Sequence, residues 1–65
     1  MPMTSMNRYV GKNVFVTLRN GRIYKGIVTE IEDVGNGLIF VSINYKDDKI
    51  VTLIASEITE MKEED

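Results

Sequence analysis

Residues 14–28 constrain the fold more than any other stretch. Val14-Phe15-Val16-Thr17-Leu18 and Ile23-Tyr24-Lys25-Gly26-Ile27-Val28 are rich in β-branched and aromatic residues, and Asn20-Gly21 sits between them. Asn-Gly in that position is a hairpin signal. A type I′ turn needs φ > 0 at both central residues, and Asn and Gly reach that region at least cost. Gly26 then interrupts the second run, and a glycine inside a strand marks a sharp bend or a close backbone approach. The apolar parity also changes beyond it: Tyr24 and Val28 share a face, whereas Ile31 falls on the other unless a bulge intervenes. A long strand bent at a glycine can belong to two sheets, which is how a small barrel turns its corner.

At 65 residues the chain makes one domain near the lower limit for independent folding. It has no Cys and no His, so neither a disulfide nor a thiolate or imidazole metal site can reinforce it. Oligomerisation is then the main staple left to it. No apolar run approaches the length of a membrane span and no signal-peptide pattern precedes the domain, so an intracellular, cytoplasmic protein without membrane contact is expected. The net charge of −2 hides an asymmetry. Arg8, Lys12, Arg19, Arg22 and Lys25 precede every acid, and all ten acids lie from Glu30 onward. That split predicts an anion-seeking face opposite an acidic one.

The elements follow in order. A short helix over residues 5–10, capped by Ser5 and ended by Gly11, would turn Met6, Tyr9 and Val10 toward the barrel. Strands are predicted over 13–18, 22–33, 38–45, 49–54 and 57–61, with a 3-10 turn at Ala55-Ser56. Residues 1–4 are expected to be frayed, residues 5–62 to form the domain, and residues 63–65 to form an acidic tail.

The fourth of these strands is apolar on both faces. Ile50, Thr52 and Ile54 alternate with Val51 and Leu53, and no charge or proline interrupts them. Edge strands normally carry such protection. The strand is then either central and covered on both faces or, as expected with so few strands to cover it, an edge that pairs with strand five of another copy through Ile50, Val51, Thr52, Leu53, Ile54, Ile58 and Met61. Such a heterologous contact closes into a ring or runs on as a filament.

The run Gly-Lys-x-Val-x-Val-x-Leu-x-Asn-Gly-Arg-x-Tyr-x-Gly-x-Val over residues 11–28, behind a short helix and before an acid-bearing turn, resembles the first signature of the Sm, Lsm and Hfq proteins. The likeness covers roughly residues 6–61. It implies an N-terminal helix on a strongly bent five-stranded antiparallel SH3-like barrel. It further implies a homo-oligomeric ring, a hexamer or heptamer with a pentamer also open, that binds single-stranded RNA. Counting from Gly26, the resemblance puts Glu32 at the acid that orders the turn, Val34 at the base-stacking position and Asn36 at the base-recognising asparagine. A slip of one residue would instead make Asp33 the acid and put Gly37 at the asparagine position. Two departures stand out. Val34 offers no π-face to a base, and Ile54-Ala55 occupies the place of the family's Arg-Gly pair, so the cation there is missing.

The resemblance implies non-catalytic RNA binding by Asn36, with Glu32 and Val34 in the same turn, Arg8 and Lys12 on the helix, and Arg19 and Arg22 flanking the hairpin. Read by themselves, Asn36 can equally satisfy its own turn as an Asx residue, and Arg19 and Arg22 fit a solvated hairpin better than an RNA contact. The alternative is an Sm-fold assembly module that has lost the RNA pocket and acts through protein contacts. A Tudor-like or SH3-like peptide binder is the weakest reading, because such modules need aromatic grooves and Tyr24 and Phe40 read as core. Enzymatic activity is not expected, since no nucleophile has a base beside it. No cofactor is expected, and the Asp47-Asp48 turn lacks the ligand count of a dedicated metal site.

Overall fold

The computed structural model describes residues 5–47 and 49–64, with the side chains of residues 5 and 6 outside that description. Expectations for residues 1–4, for Ser5 as a cap, for the packing of Met6, for Asp48 and for Asp65 therefore fall outside the described residues. Five strands, β1 (Asn13–Leu18), β2 (Ile23–Asp33), β3 (Ile39–Lys46), β4 (Lys49–Ile54) and β5 (Ile58–Glu63), form one antiparallel sheet in the order β4-β3-β2-β1-β5. The mostly β expectation holds. β4 and β5 are the two edges of the sheet and do not pair with each other. Among the described residues no helix is long and apolar enough to cross a membrane.

Alternation places the core. Val14, Val16 and Leu18 of β1 are buried, while Phe15 points to the opposite face and is 38% exposed. Cross-strand partners carry that face through the sheet: Val28 lies opposite Ile43, Ile31 opposite Val41, Val41 opposite Leu53, and Val16 opposite Met61. Seven aliphatic residues form the cluster, with Tyr9, Tyr24, Ile31, Val51, Ile58 and Met61 packed around it. Each fully buried member contributes about 2 kcal/mol. Phe40, expected in the core, lies opposite Ile54 and Glu32 on the other face of the sheet. The parity of β3 puts Val41 and Ile43 inside, so Phe40 must face out.

The parity problem in β2 is solved by a bulge. Pairing with β3 shifts between Val28 and Glu30, so Val28 and Ile31 both reach the core although they are three residues apart. Thr29 is left over, and its hydroxyl donates to the Ser42 carbonyl oxygen at 3.3 Å. Just before the bulge, β2 comes very close to the β3 backbone at Gly26. A Cβ there would fall on the Asn44 carbonyl oxygen. The glycine is therefore a site of close backbone approach, one of the two roles the sequence allowed it.

Three local expectations are corrected. The N-terminal segment is a 3-10 helix over Ser5–Tyr9, without the full helix to residue 10, and Val10 forms a parallel bridge with Val28. The Gly11 amide donates to the Val28 carbonyl at 2.8 Å, and this draws the chain into the sheet before another helical turn can form. The Asn20-Gly21 turn is not type I′. Gly21 has φ +90°, but Asn20 is not among the residues of positive φ. The Gly21 amide bonds the Leu18 carbonyl and the Leu18 amide bonds the Arg22 carbonyl, as in a three-residue loop with a bulged glycine. Finally, β5 runs to Glu63, with Glu63 opposite Val14 and the Glu64 amide donating to the Asn13 carbonyl at 2.8 Å. Ladder bonds to β1 thus hold residues assigned to the tail.

Candidate nucleic-acid interface

The loop between β2 and β3 carries the residues singled out for base recognition. Gly35, Asn36 and Gly37 have φ of +94°, +57° and +77°, three successive residues in the left-handed region. Asn36 is the single non-glycine residue of positive φ among the described residues, and asparagine tolerates that region better than other side chains. The Leu38 amide donates to the Gly35 carbonyl at 3.0 Å, and the Val34 amide to the Leu38 carbonyl at 3.0 Å. Positive φ at both central residues of the 35–38 turn is the type I′ pattern. The Asn-Gly pair that adopts it is therefore Asn36-Gly37.

The acid that orders this loop is Asp33. Its Oδ1 accepts the Gly35 amide at 2.9 Å. Glu32, assigned that role by counting from Gly26, makes no side-chain hydrogen bond among the described residues, and its backbone lies opposite Phe40. The sequence held a signal for this: Asp two residues before Gly is an Asx turn, because a short carboxylate reaches the second amide ahead. Asn36 uses its side chain in no hydrogen bond among the described residues, so its amide donor and acceptor face solvent. Val34 and Leu38 flank the tip, 48% and 38% exposed.

The cations are spread over different parts of the fold. Arg19 is held beside the Ile54-Ala55 segment. Its Nε donates to the Ser56 carbonyl at 3.0 Å, and its backbone amide donates to the Glu57 carbonyl at 2.9 Å. Those carbonyls belong to the 3-10 turn Ala55–Glu57, which follows Ile54 directly, and Ile54 lies opposite Phe40 at the start of β3. No local pattern in the sequence announces this tie, since the two partners are 37 residues apart. Arg22 is exposed, with a long 3.5 Å contact to the Tyr24 hydroxyl. Arg8 stacks over the Tyr9 ring at 5.1 Å and donates to its hydroxyl at 3.3 Å. That hydrogen bond, with the tyrosine's own charge interaction, holds the guanidinium above its ordinary pKa.

Lys12 and Lys25 are engaged elsewhere. Lys12 pairs with Glu63 at 3.6 Å and Lys25 with Glu64 at 3.3 Å. Lys25 also lies 5.1 Å over the Phe15 ring. The C-terminal Glu63 and Glu64 thus lie beside two of the basic residues of the N-terminal half. At the sheet edges, Ile50 is 58% and Ile54 37% exposed on β4, while Val51, Ile58 and Met61 are half-buried and pack on the core. Among the described residues no group of three His, Cys, Asp or Glu side chains is placed to hold a metal ion. No family model, no curated protein and no solved structure matches the chain.

Proposed function

We propose that this chain is a subunit of an Sm-like ring, a bent five-stranded barrel in each copy, and that the ring holds single-stranded RNA without catalysis. The observation that carries the reading is the pair of unmated edges. β4 and β5 end the sheet on opposite sides, each six residues long. Full antiparallel overlap of β4 with β5 of the next copy puts Lys49 opposite Glu63, Ile50 opposite Lys62 and Val51 opposite Met61. Val51 and Met61 each already pack on their own core, so that register joins two cores into one. The contact is heterologous, and a rotation that closes makes a ring.

RNA binding in this reading rests on the free amide of Asn36 at the loop tip and on the arginines, Arg19 above all. Asn36 would read a base edge by hydrogen bonding without a stacking partner, because Val34 has no ring. One such site is weak, and a ring repeats it once per subunit, which raises the overall affinity steeply. The alternative, an assembly module without an RNA pocket, is favoured by the ion pairs that occupy Lys12 and Lys25.

Two measurements test the reading. Native mass spectrometry at micromolar concentration is expected to give a closed multiple of the subunit mass, and a monomer removes the ring. Fluorescence anisotropy with U-rich and A-rich oligonucleotides is expected to show binding that weakens with salt, by about 0.7 in logarithmic slope per phosphate contacted. A ring that binds neither oligonucleotide at low salt leaves the assembly module.

A further inference from the structure

The chain holds two Asn-Gly pairs, and the fold treats them oppositely. In an Asn-Gly sequence the glycine amide nitrogen can attack the asparagine Cγ, because glycine has no Cβ to shield it. At Asn20-Gly21 both reacting groups are occupied. The Gly21 amide donates to the Leu18 carbonyl at 2.9 Å, and Asn20 Oδ1 accepts the Arg22 amide at 2.9 Å. At Asn36-Gly37 neither is: the Gly37 amide and the Asn36 side chain make no hydrogen bond among the described residues. The space around them is open too, since a Cβ built on Gly35 or on Gly37 would meet nothing within 4 Å.

We infer that Asn36 is a site of spontaneous covalent modification in the folded protein and that Asn20 is protected from it. The Gly37 nitrogen forms a bond to Asn36 Cγ and closes a succinimide. The side-chain nitrogen leaves as ammonia, carrying the proton lost from the Gly37 amide. Water then opens the ring at either carbonyl and gives aspartate or isoaspartate. One water is consumed and one ammonia released, with no change of oxidation state. The product replaces a neutral donor at the loop tip with a carboxylate, and the isoaspartate form adds a methylene to the backbone of the type I′ turn. The inference does not depend on the RNA reading, since it concerns only the reactivity of the free amide.

The test is ageing of the full chain at neutral and mildly alkaline pH, followed by intact mass and peptide mapping of both sites. The expected result is the amide-to-acid mass gain at residue 36, with isoaspartate among the products and a faster rate in alkali. Two ordinary hydrogen bonds must open before Asn20 can react, so conversion at Asn36 should lead by about tenfold or more. In denaturant the two rates should converge, and Asn36→Gln should remove the fast gain in the folded protein and leave only the slow conversion of Asn20. Equal rates in the folded chain, modification confined to Asn20, or a lead for Asn36 that persists in denaturant would each overturn the inference.

Discussion

Gly26 of β2 and Asn44 of β3 approach so closely that only a hydrogen atom fits between their backbones. A Cβ on Gly26 would land on the Asn44 carbonyl oxygen and lie 2.8 Å from the Tyr45 Cα. Both neighbours are backbone, and neither is a flexible side-chain end that could swing aside. Gly26→Ala must push β3 away from β2 where the two begin to pair. The expected cost is about 3 kcal/mol, at the upper end for an overpacked site. Urea denaturation measures it, and an unchanged midpoint would mean that the strands separate freely there.

The two acids next to the β2–β3 loop make opposite predictions. Asp33→Ala removes the acceptor of the Gly35 amide and should cost about 1 kcal/mol. Asp33→Asn keeps an oxygen in place and should cost less. Glu32→Ala touches no bond of the loop and should stay within about 0.5 kcal/mol of the parent. Thermal unfolding resolves these, because 1 kcal/mol moves Tm by about 4–8 °C in a domain this small. A larger loss at Glu32 than at Asp33 would return the ordering role to Glu32.

The end of β5 is predicted to matter more for its backbone than for its charge. Lys12–Glu63 and Lys25–Glu64 are exposed pairs, each contributing about 0.2–1 kcal/mol and screened by salt. Glu63→Gln with Glu64→Gln should therefore lower stability slightly, and only at low salt. Deleting residues 63–65 also removes the Glu64 amide bond to Asn13 and the pairing opposite Val14. That deletion should cost about 1–2 kcal/mol more, at any salt concentration. Equal stability of the deletion and the double variant, followed by circular dichroism on heating, would make the segment a tail after all.

Assembly can be tested without damaging the fold at Ile50, which is 58% exposed on β4. A surface change there should shift subunit stability by no more than about 0.5 kcal/mol. In the proposed register Ile50 faces Lys62 of the next copy. Ile50→Lys should weaken the assembly through like charges directly opposite, and Ile50→Glu should weaken it less or strengthen it. Sedimentation of the two variants decides the matter, and identical behaviour would exclude that register.

What the residues determined by themselves is what depends on neighbours in the chain. The alternation of Val14, Val16 and Leu18 set the buried face of β1, whereas the apolar run from Ile50 to Ile54 left a central or an edge position open until the strand order placed β4 at an edge. The mismatch among Tyr24, Val28 and Ile31 required a bulge, which lies at Thr29. Period-2 patterning and turn chemistry act over a few residues, so they are legible in one sequence. The tertiary structure decided whatever depends on register between distant strands. Asn20-Gly21 and Asn36-Gly37 are the same dipeptide, yet the bonds of the flanking strands gave the type I′ pattern to the second and a bulged glycine to the first. The candidate site divided in the same way. The resemblance, counted from Gly26, pointed to Asn36, and Asp33 two residues before Gly35 carried a local Asx-turn signal, whereas Arg19 at the Ser56 carbonyl depended on which carbonyl the folded backbone brings to it. The approach of the C-terminal acids to Lys12 and Lys25 was likewise set by β5 pairing with β1, a contact that closes a loop of more than half the chain.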